Sequence, residues 1–245
     1  MNCKQIILFC CILAFSAKAS PSAQIMLDDF TTITTWQNMG GTENPEENIY
    51  WSRCGSFKDV SRPDGYCARL AFDAVGREAE FGVGNNRVYI QTLDENAIGI
   101  RLQVNPCGFN TRFAADLKLN DGKLCRTAYI PASGTGWREI FIPFPQKEIA
   151  GRNPFHIFRL VVWFSGPAKG DIFFDDVKVD FRKLPENLTP VTAEPVYHKL
   201  GWRPGEKVIQ EYLFRNRLSV PFSGEITVTG AGKNFSRKIE LPPYG

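Results

Sequence analysis

The sequence predicts an all-β protein in which a β-sandwich or barrel occupies residues 26–182. Two observations support this fold class. Short apolar or alternating runs follow one another along this region, and residues typical of turns separate them. No convincing amphipathic helix interrupts the runs, and only PQKEIAGRN has room for one helical turn. Many short strands at this spacing, with almost no helix, are typical of a sandwich or a barrel.

Nine strands are predicted within residues 26–182. In chain order they are MLDDF, GYCARLAFDAV, REAEFGVG, AIGIRLQVN, RFAADLKLN, KLCRTAYIP, WREIFIPF, FRLVVWFSG and DIFFDDVKVDF. The tripeptide NDG at residues 120–122 lies between the fifth and sixth strands, and it predicts a hairpin because Asp-Gly favours tight turns.

Period-two alternation assigns a face to each side chain of these strands. The apolar set, predicted to build the core, is Ile98, Ile100, Leu102, Val104, Phe113, Ala115, Leu117, Leu119, Phe158, Leu160, Val162 and Phe164. The residues between them, including Arg101, Gln103, Asp116, Arg159 and Trp163, are predicted to lie on outer sheet faces.

The first 19 residues resemble a secretory signal peptide. Lys4 precedes a short apolar run, and Ala17-x-Ala19 fits a cleavage site. We therefore expect a secreted, periplasmic or cell-surface protein with no membrane span in the mature chain, and a retained N-terminal anchor is the alternative. Residues 1–19 hold two lysines and no acids, so 27 basic and 26 acidic residues remain after cleavage. This near-neutral charge argues against nucleic acid as a partner.

Four cysteines remain in the predicted mature chain. An even number in an exported protein favours disulfides. We expect the local pairs Cys54–Cys67 and Cys107–Cys125, although buried thiols are the alternative. A zinc site is disfavoured because no C-x2-C spacing occurs and the chain has two histidines.

A change in composition after Phe181, from strand-like runs to a polar and proline-rich stretch, predicts a second unit. Residues 183–194 are polar and proline-rich, as in a linker, and residues 195–245 contain further strand-like runs. These 51 residues are too few for a complete immunoglobulin-like sandwich. We expect a short, incomplete immunoglobulin-like unit or a hairpin appendage, with a truncated gene product as one explanation.

MLDDF, GWREIFIPF, FRLVVWFSGP and GDIFFDDVKVD together resemble the carbohydrate-binding-module-like, galactose-binding-type jelly rolls attached to secreted glycoside hydrolases. The complex I intermediate-associated family also looks similar, but its members are intracellular, which disagrees with the signal peptide expected at residues 1–19. The resemblance implies a jelly-roll β-sandwich, a polysaccharide or oligosaccharide partner, and a structural Ca2+ where the first and last strands meet. Asp29 and Asp176 are the expected metal ligands, and hydrogen bonds to backbone amides or arginines are the alternative.

No catalytic residues are predicted. Asp175 and Asp176 are adjacent in a strand, so they should face apart and could not act together as a glycosidase pair. There is no G-x-S-x-G motif, and His156 and His198 have no evident catalytic neighbours. If the chain belongs to an enzyme, a glycoside hydrolase domain beyond residue 245 is expected to carry the chemistry.

Sugar binding requires aromatic rings that stack on pyranoses and planar polar groups that bind hydroxyls. The predicted binding residues are Trp163, Arg159, Arg101, Gln103 and Asp116. Tyr50, Trp51 and Trp137 could add to them, although Trp36, Trp51 and Trp137 could equally fill the sandwich. The predicted function is therefore an exported, non-catalytic carbohydrate-binding module, with a structural or adhesion spacer and a glycoside hydrolase fragment as alternatives.

Overall fold

A computed structural model describes residues 24–30, 36–41, 51–62, 65–74, 78–85, 93–185, 190–196, 211–230 and 233–245. Within strands, the side chains of residues 36–41, 51–54, 56, 74, 85, 194–196, 211, 228–230 and 233–235 are not described. The chain forms two compact units, one from Ala23 to Glu186 and one that includes Asn187–Gly245. Among the described residues, no helix has the length and apolar character needed to cross a membrane.

The first unit is built almost entirely of strands. They are β1 (Gln24–Asp28), β2 (Trp36–Gly41), β3 (Trp51–Lys58), β4 (Tyr66–Ala74), β5 (Glu78–Asn85), β6 (Ala97–Asn105), β7 (Thr111–Lys118), β8 (Leu124–Arg126), β9 (Ile130–Ala132), β10 (Arg138–Pro143), β11 (His156–Ser165) and β12 (Ala168–Phe181). The helix α1 (Gln146–Ile149) is the single turn predicted within PQKEIAGRN.

Two antiparallel sheets form this unit. Sheet A has the order β10-β6-β12-β4-β3, with β1 also paired to β12. Sheet B has the order β2-β5-β11-β7-β8, with β9 also paired to β7. The prediction of an all-β sandwich is confirmed, and the first and last strands are neighbours as the jelly-roll resemblance implies.

Phenylalanine side chains join the two sheets. The Phe72 ring of sheet A lies 4.0 Å from the Phe164 ring and 6.0 Å from the Phe81 ring of sheet B, measured between centroids. Most of the predicted core set is buried, but Ile98 and Phe158 are only partly buried. In β11 a register shift between Ile157 and Arg159 moves the alternation by one residue, so Ile157 is buried instead of Phe158.

The predicted strand KLCRTAYIP is two strands in the structure. The NDG hairpin is present, with Gly122 at φ +81°, a left-handed conformation that glycine adopts without strain. Both β8 and β9 then pair with β7, separated by residues 127–129. Thr127 binds the backbone of Ala115 at this break. Strands β2 and β3 were not predicted, because their glycines and polar residues give no clear alternation.

A β-bulge interrupts β12 at its paired acids. The register shifts between Asp175 and Lys178, and Asp176 has φ +51°. A bulge places two residues opposite one partner, so consecutive side chains can lie on the same face. The prediction that Asp175 and Asp176 face apart is therefore wrong: both carboxylates lie on the outer face of sheet A and bind Arg62.

The second unit contains β13 (Val191–Val196), β14 (Glu211–Asn216), β15 (Phe222–Gly230) and β16 (Lys233–Leu241). Strands β15 and β16 form the hairpin expected from the sequence. The predicted linker 183–194 is wrong at its end, because β13 pairs with β14 and residues 191–194 are thus extended. Pro195 is tolerated because β13 is an edge strand. The immunoglobulin-like character of this unit stays a prediction, and residues 1–19 lie outside the described residues.

Neither predicted disulfide is present. Cys54 lies opposite Leu70 and Cys67 opposite Phe57, so their backbones are about 10 Å apart along the strands. A disulfide needs Cα atoms within about 7 Å. Cys107 and Cys125 have free thiols, because they lie near opposite ends of β7.

Candidate functional site

The five predicted binding residues lie on two different faces. Trp163 and Arg159 on β11 and Asp116 on β7 belong to the outer face of sheet B. Arg101 and Gln103 lie on β6, in sheet A. Alternation predicted an outer position for each residue, but only the order of strands decides which sheet carries it.

Cross-strand neighbours arrange the outer face of sheet B in rows. Trp163 lies between Glu80 on β5 and Arg112 on β7. The next row on this face lies two residues further along each strand. It consists of small or buried residues, which are Gly82, Val161 and Ala114. The following row places Arg159, Asp116 and Arg126 side by side.

Asp116 is the buried centre of a charged network. Arg126 binds its carboxylate through two atoms, Nε at 2.7 Å and Nη2 at 2.9 Å, and Arg159 Nε donates to it at 2.7 Å. Burial by itself would raise the pKa of Asp116, but the hydrogen bonds and charges of the two guanidiniums outweigh it and lower the pKa. Asp116 is therefore held as a carboxylate.

Arg126 also crosses the sheet. Its Nη1 donates to Glu80 Oε2 at 2.7 Å and to the Tyr129 hydroxyl at 3.0 Å, and that hydroxyl donates to Glu80. Because β8 and β5 are separated by β7 and β11, the Arg126 side chain passes above the row of small residues. Burial, followed by the neighbouring Glu80, raises the pKa of Tyr129 to about 12, so this group stays protonated.

A stacked pair flanks this network. The Arg112 guanidinium carbon lies 4.4 Å from the centroid of the Trp163 ring. Trp163 is partly exposed and Arg112 is exposed. Within the described part of the chain, Arg112 forms no hydrogen bond and no ion pair, and its stacking on Trp163 is its one polar contact.

The outer face of sheet A is organised around Arg62. Its Nε donates to Asp175 and its Nη2 to Asp176 at 2.8 Å, while the Trp137 ring lies 4.6 Å from the guanidinium carbon. Asp175 has a fully buried side chain. Burial raises its pKa to about 7, and the adjacent Asp176 charge acts in the same direction, while Arg62 acts against it.

Arg101 is engaged in ion pairs on the same sheet. It donates to Asp180 Oδ2 through Nε and Nη2, at 3.1 and 2.7 Å, and to Glu139 Oε1 through Nη1 at 2.6 Å. Its guanidinium carbon also lies 5.1 Å from the centre of the Phe141 ring. Gln103 is the cross-strand neighbour of Glu139 and Asp175. All three kinds of donor nitrogen in Arg101 are thus used inside the protein.

The acids at the meeting point of β1 and β12 differ from the expected metal pair. The more buried acid is Asp175, not Asp176, and its counter-ion is Arg62. The Asp176 oxygens face Arg62 and, at 3.9 Å, Lys178, surroundings that do not fit a calcium ion. No group of three or more potential ligands occurs among the described residues. Calcium binding by Asp29 and Asp176 stays a prediction, which a calcium-dependent rise in melting temperature, abolished by Asp176→Ala, would support.

Four residues of the sheet B face were not among the predicted binding residues: Glu80, Arg112, Arg126 and Tyr129. Arg112 follows the same alternation as Asp116 and could have been named with it. Arg126 and Tyr129 could not, because the break between β8 and β9 ends the alternation there. Of the loop aromatics, Trp137 stacks on Arg62, whereas Tyr50 and the side chains of Trp36 and Trp51 lie outside the described residues.

Comparison with known proteins finds no similar sequence but several similar solved structures, among them carbohydrate-binding modules. No protein family and no curated protein matches the sequence. Among solved structures, the family 11 carbohydrate-binding module of the cellulosomal cellulase Lic26A-Cel5E of Clostridium thermocellum is 16% identical, with a TM-score of 0.44 over 69% of this chain and 100% of that chain.

Two further solved structures have comparable values. The CBM22-1 xylan-binding domain from Paenibacillus barcinonensis Xyn10C is 12% identical, with a TM-score of 0.42 over 68% of this chain and 100% of that chain. The mannan-recognising module TmCBM27 is 16% identical, with a TM-score of 0.39 over 65% of this chain and 99% of that chain.

Proposed function

We propose that this chain is an exported, non-catalytic carbohydrate-binding module that binds its glycan on the outer face of sheet B. One observation carries the proposal. A partly exposed indole, Trp163, shares this face with three guanidiniums, those of Arg112, Arg126 and Arg159. An aromatic surface beside planar hydrogen-bond donors is the combination that pyranose rings require, since each sugar has apolar C–H faces and polar hydroxyls.

The network beneath these groups favours binding. Asp116 fixes Arg126 and Arg159, and Glu80 with Tyr129 fixes the far end of Arg126. Side chains that are already ordered lose less entropy when a ligand binds. A glycan would therefore meet guanidiniums that are held in place, beside Arg112, whose nitrogens donate to no described acceptor.

The same network favours binding over hydrolysis. A glycosidase needs one carboxyl that is protonated near neutral pH to act as a general acid. The pKa of Asp116 is lowered, and both Asp116 and Glu80 are occupied by Arg126. We propose that the module serves a polysaccharide-processing protein by holding a catalytic domain encoded downstream near its polymer, which raises the local concentration of substrate.

The test is binding of the full chain to glycans, measured by affinity electrophoresis and calorimetry. Mixed-linkage β-glucan, xylan and mannan, which the names of similar solved structures mention, are suitable first probes. Trp163→Ala should weaken binding about tenfold, because loss of a stacking contact costs about 1.4 kcal/mol. Phe57→Ala, which removes an exposed aromatic ring from sheet A, is the matched control and should bind normally.

Two outcomes would contradict the proposal. If Phe57→Ala weakens binding and Trp163→Ala does not, the ligand lies on the other sheet. If the folded wild-type chain binds no glycan of a broad panel, the binding role is lost and a spacer role takes its place.

A further inference from the structure

We infer that the glycan bound by sheet B is anionic: the face is built for a polysaccharide that carries carboxylates, as uronic acids do, and Arg112 is the residue that selects them. This inference rests on the proposed function and adds the chemical class of the ligand. It follows from the balance of charges on the face and from the way in which Arg112 is held.

Four of the charged residues around Trp163 on the outer face of sheet B pair with one another: Glu80 and Asp116 with Arg126 and Arg159. The Asp116 carboxylate is shared by Arg126 and Arg159, and Glu80 lies 2.7 Å from Arg126 Nη1. These two acids are therefore already neutralised by their own arginines. Arg112 forms no ion pair with a described acid, so the five charged residues Glu80, Arg112, Asp116, Arg126 and Arg159 carry one net positive charge at Arg112. Further along the same face, Glu78 on β5 and Lys118 on β7 add one charge of each sign.

Arg112 is also oriented, unlike most exposed arginines. Its guanidinium stacks on the Trp163 ring at 4.4 Å, a contact that favours a parallel arrangement of the two planes. Stacking covers a flat side of the guanidinium and leaves its N–H edge for a ligand. A planar carboxylate matches that edge with two parallel hydrogen bonds, which are shorter and stronger than bonds to a neutral hydroxyl.

The position of Arg112 makes the charge relevant to a bound glycan. Arg112 and Trp163 are cross-strand neighbours, and the guanidinium covers one flat side of the indole, so a sugar that packs on the exposed part of the indole lies beside the guanidinium. A neutral sugar would partly remove that charge from water without offsetting it, which opposes binding. A uronic acid would offset it, and the indole would still contact the apolar face of the ring.

The test compares polymers that differ only in their carboxylates. Suitable pairs are polygalacturonate and its methyl ester, alginate and its propylene glycol ester, and glucuronoxylan and its carboxyl-reduced form. The full chain should bind the acidic member of at least one pair about tenfold more tightly than the neutral member, as expected for one charge-assisted contact. This preference should shrink between about 0.05 and 0.5 M NaCl, because salt screens an exposed charge.

Three variants assign the preference to Arg112. Arg112→Gln should remove the tenfold preference, measured as the ratio of the affinities for the acidic and the neutral member of a pair. Arg112→Lys should keep part of it, because the charge remains but the two parallel hydrogen bonds are lost. Arg182→Gln removes the same charge from an exposed position after β12 and should leave the preference intact.

The outcomes separate this inference from the proposed function. Binding to neutral polymers equal to or tighter than binding to their acidic partners, with Trp163→Ala still weakening it, would overturn the inference and keep the function. A preference that survives in Arg112→Gln would also overturn it. A folded wild-type chain that binds neither member of any pair, and no neutral glycan, would remove both.

Discussion

Each outer face of the sandwich has one buried carboxylate, and the pKa values of the two carboxyl groups are shifted in opposite directions. On sheet B, Asp116 is bound by two guanidiniums and its pKa is lowered. On sheet A, Asp175 shares a single guanidinium with its neighbour Asp176, and its pKa is raised to about 7. Both side chains are almost fully buried, so burial alone does not explain the difference.

The number of arginines per carboxylate explains it. Removal from water disfavours the charge of either acid, and a nearby cation favours it. Two cations outweigh burial at Asp116, whereas one cation divided between two acids does not at Asp175. The proposed binding surface is the outer face of sheet B, which has the second arginine. On sheet A, the ion pairs of Arg62 with Asp175 and Asp176 connect the β3–β4 loop to β12.

The strongest test of this comparison removes Arg62. Arg62→Met leaves two adjacent carboxylates, one of them buried, without their guanidinium and should lower the free energy of unfolding by about 3–5 kcal/mol. Arg69→Met is the control, because Arg69 pairs with Asp171 at a more exposed site and should cost at most about 1 kcal/mol. Urea denaturation at neutral pH measures both. Equal losses in the two variants would show that burial does not distinguish the pairs.

The pH dependence of stability should differ between the two faces. Asp175 has a raised pKa, so its stabilising contribution is complete below about pH 3.8 and is lost as the pH rises through about 7. The stability of the wild type relative to Asp175→Asn should therefore fall between about pH 4 and pH 7, by about 1.4 kcal/mol for each unit of the shift.

Asp116 should behave in the opposite way. Its pKa is lowered, so its contribution is present above about pH 3.8 and is lost as the pH falls below that value. Relative to Asp116→Asn, the wild type should lose stability only on the acid side. Denaturation curves at several pH values measure both effects, and parallel pH profiles for the two pairs of proteins would contradict the assignment.

Removing one of the two arginines of Asp116 should cost less than removing Arg62. Arg159→Met should lower the free energy of unfolding by about 1.5–3 kcal/mol, because Arg126 still binds the carboxylate. The double variant Arg126→Met/Arg159→Met should lose more than the sum of the single variants, since only then is Asp116 buried without a cation. Strict additivity in this cycle would argue against a shared site.

The smallest effect is expected at the bulge. Asp176→Asn should change stability by less than about 1 kcal/mol, because asparagine accepts hydrogen bonds and tolerates the left-handed backbone found at φ +51°. Asp176→Val, which cannot adopt that conformation easily, is the comparison and should be clearly less stable. Equal stability of the two variants would mean that the bulge does not depend on this residue.

Local patterns predicted much of this protein from its sequence. Wherever a strand is uninterrupted, as in β6 and β7, alternation placed Leu102 and Phe113 in the core and Arg101 and Asp116 outside. The Asp-Gly pair predicted the turn before β8. These features depend on the two-residue repeat of a strand and on turn chemistry, which neighbouring residues determine by themselves.

Only the tertiary structure decided how those strands combine. Arg62 and Asp175 are separated by 113 residues, and their pairing depends on a bulge that the sequence pattern does not reveal. Sheet order placed Trp163 and Arg112 on one face and Arg101 on the other. Alternation states that a side chain points outward, but which groups become its neighbours depends on contacts between strands that are distant in the chain.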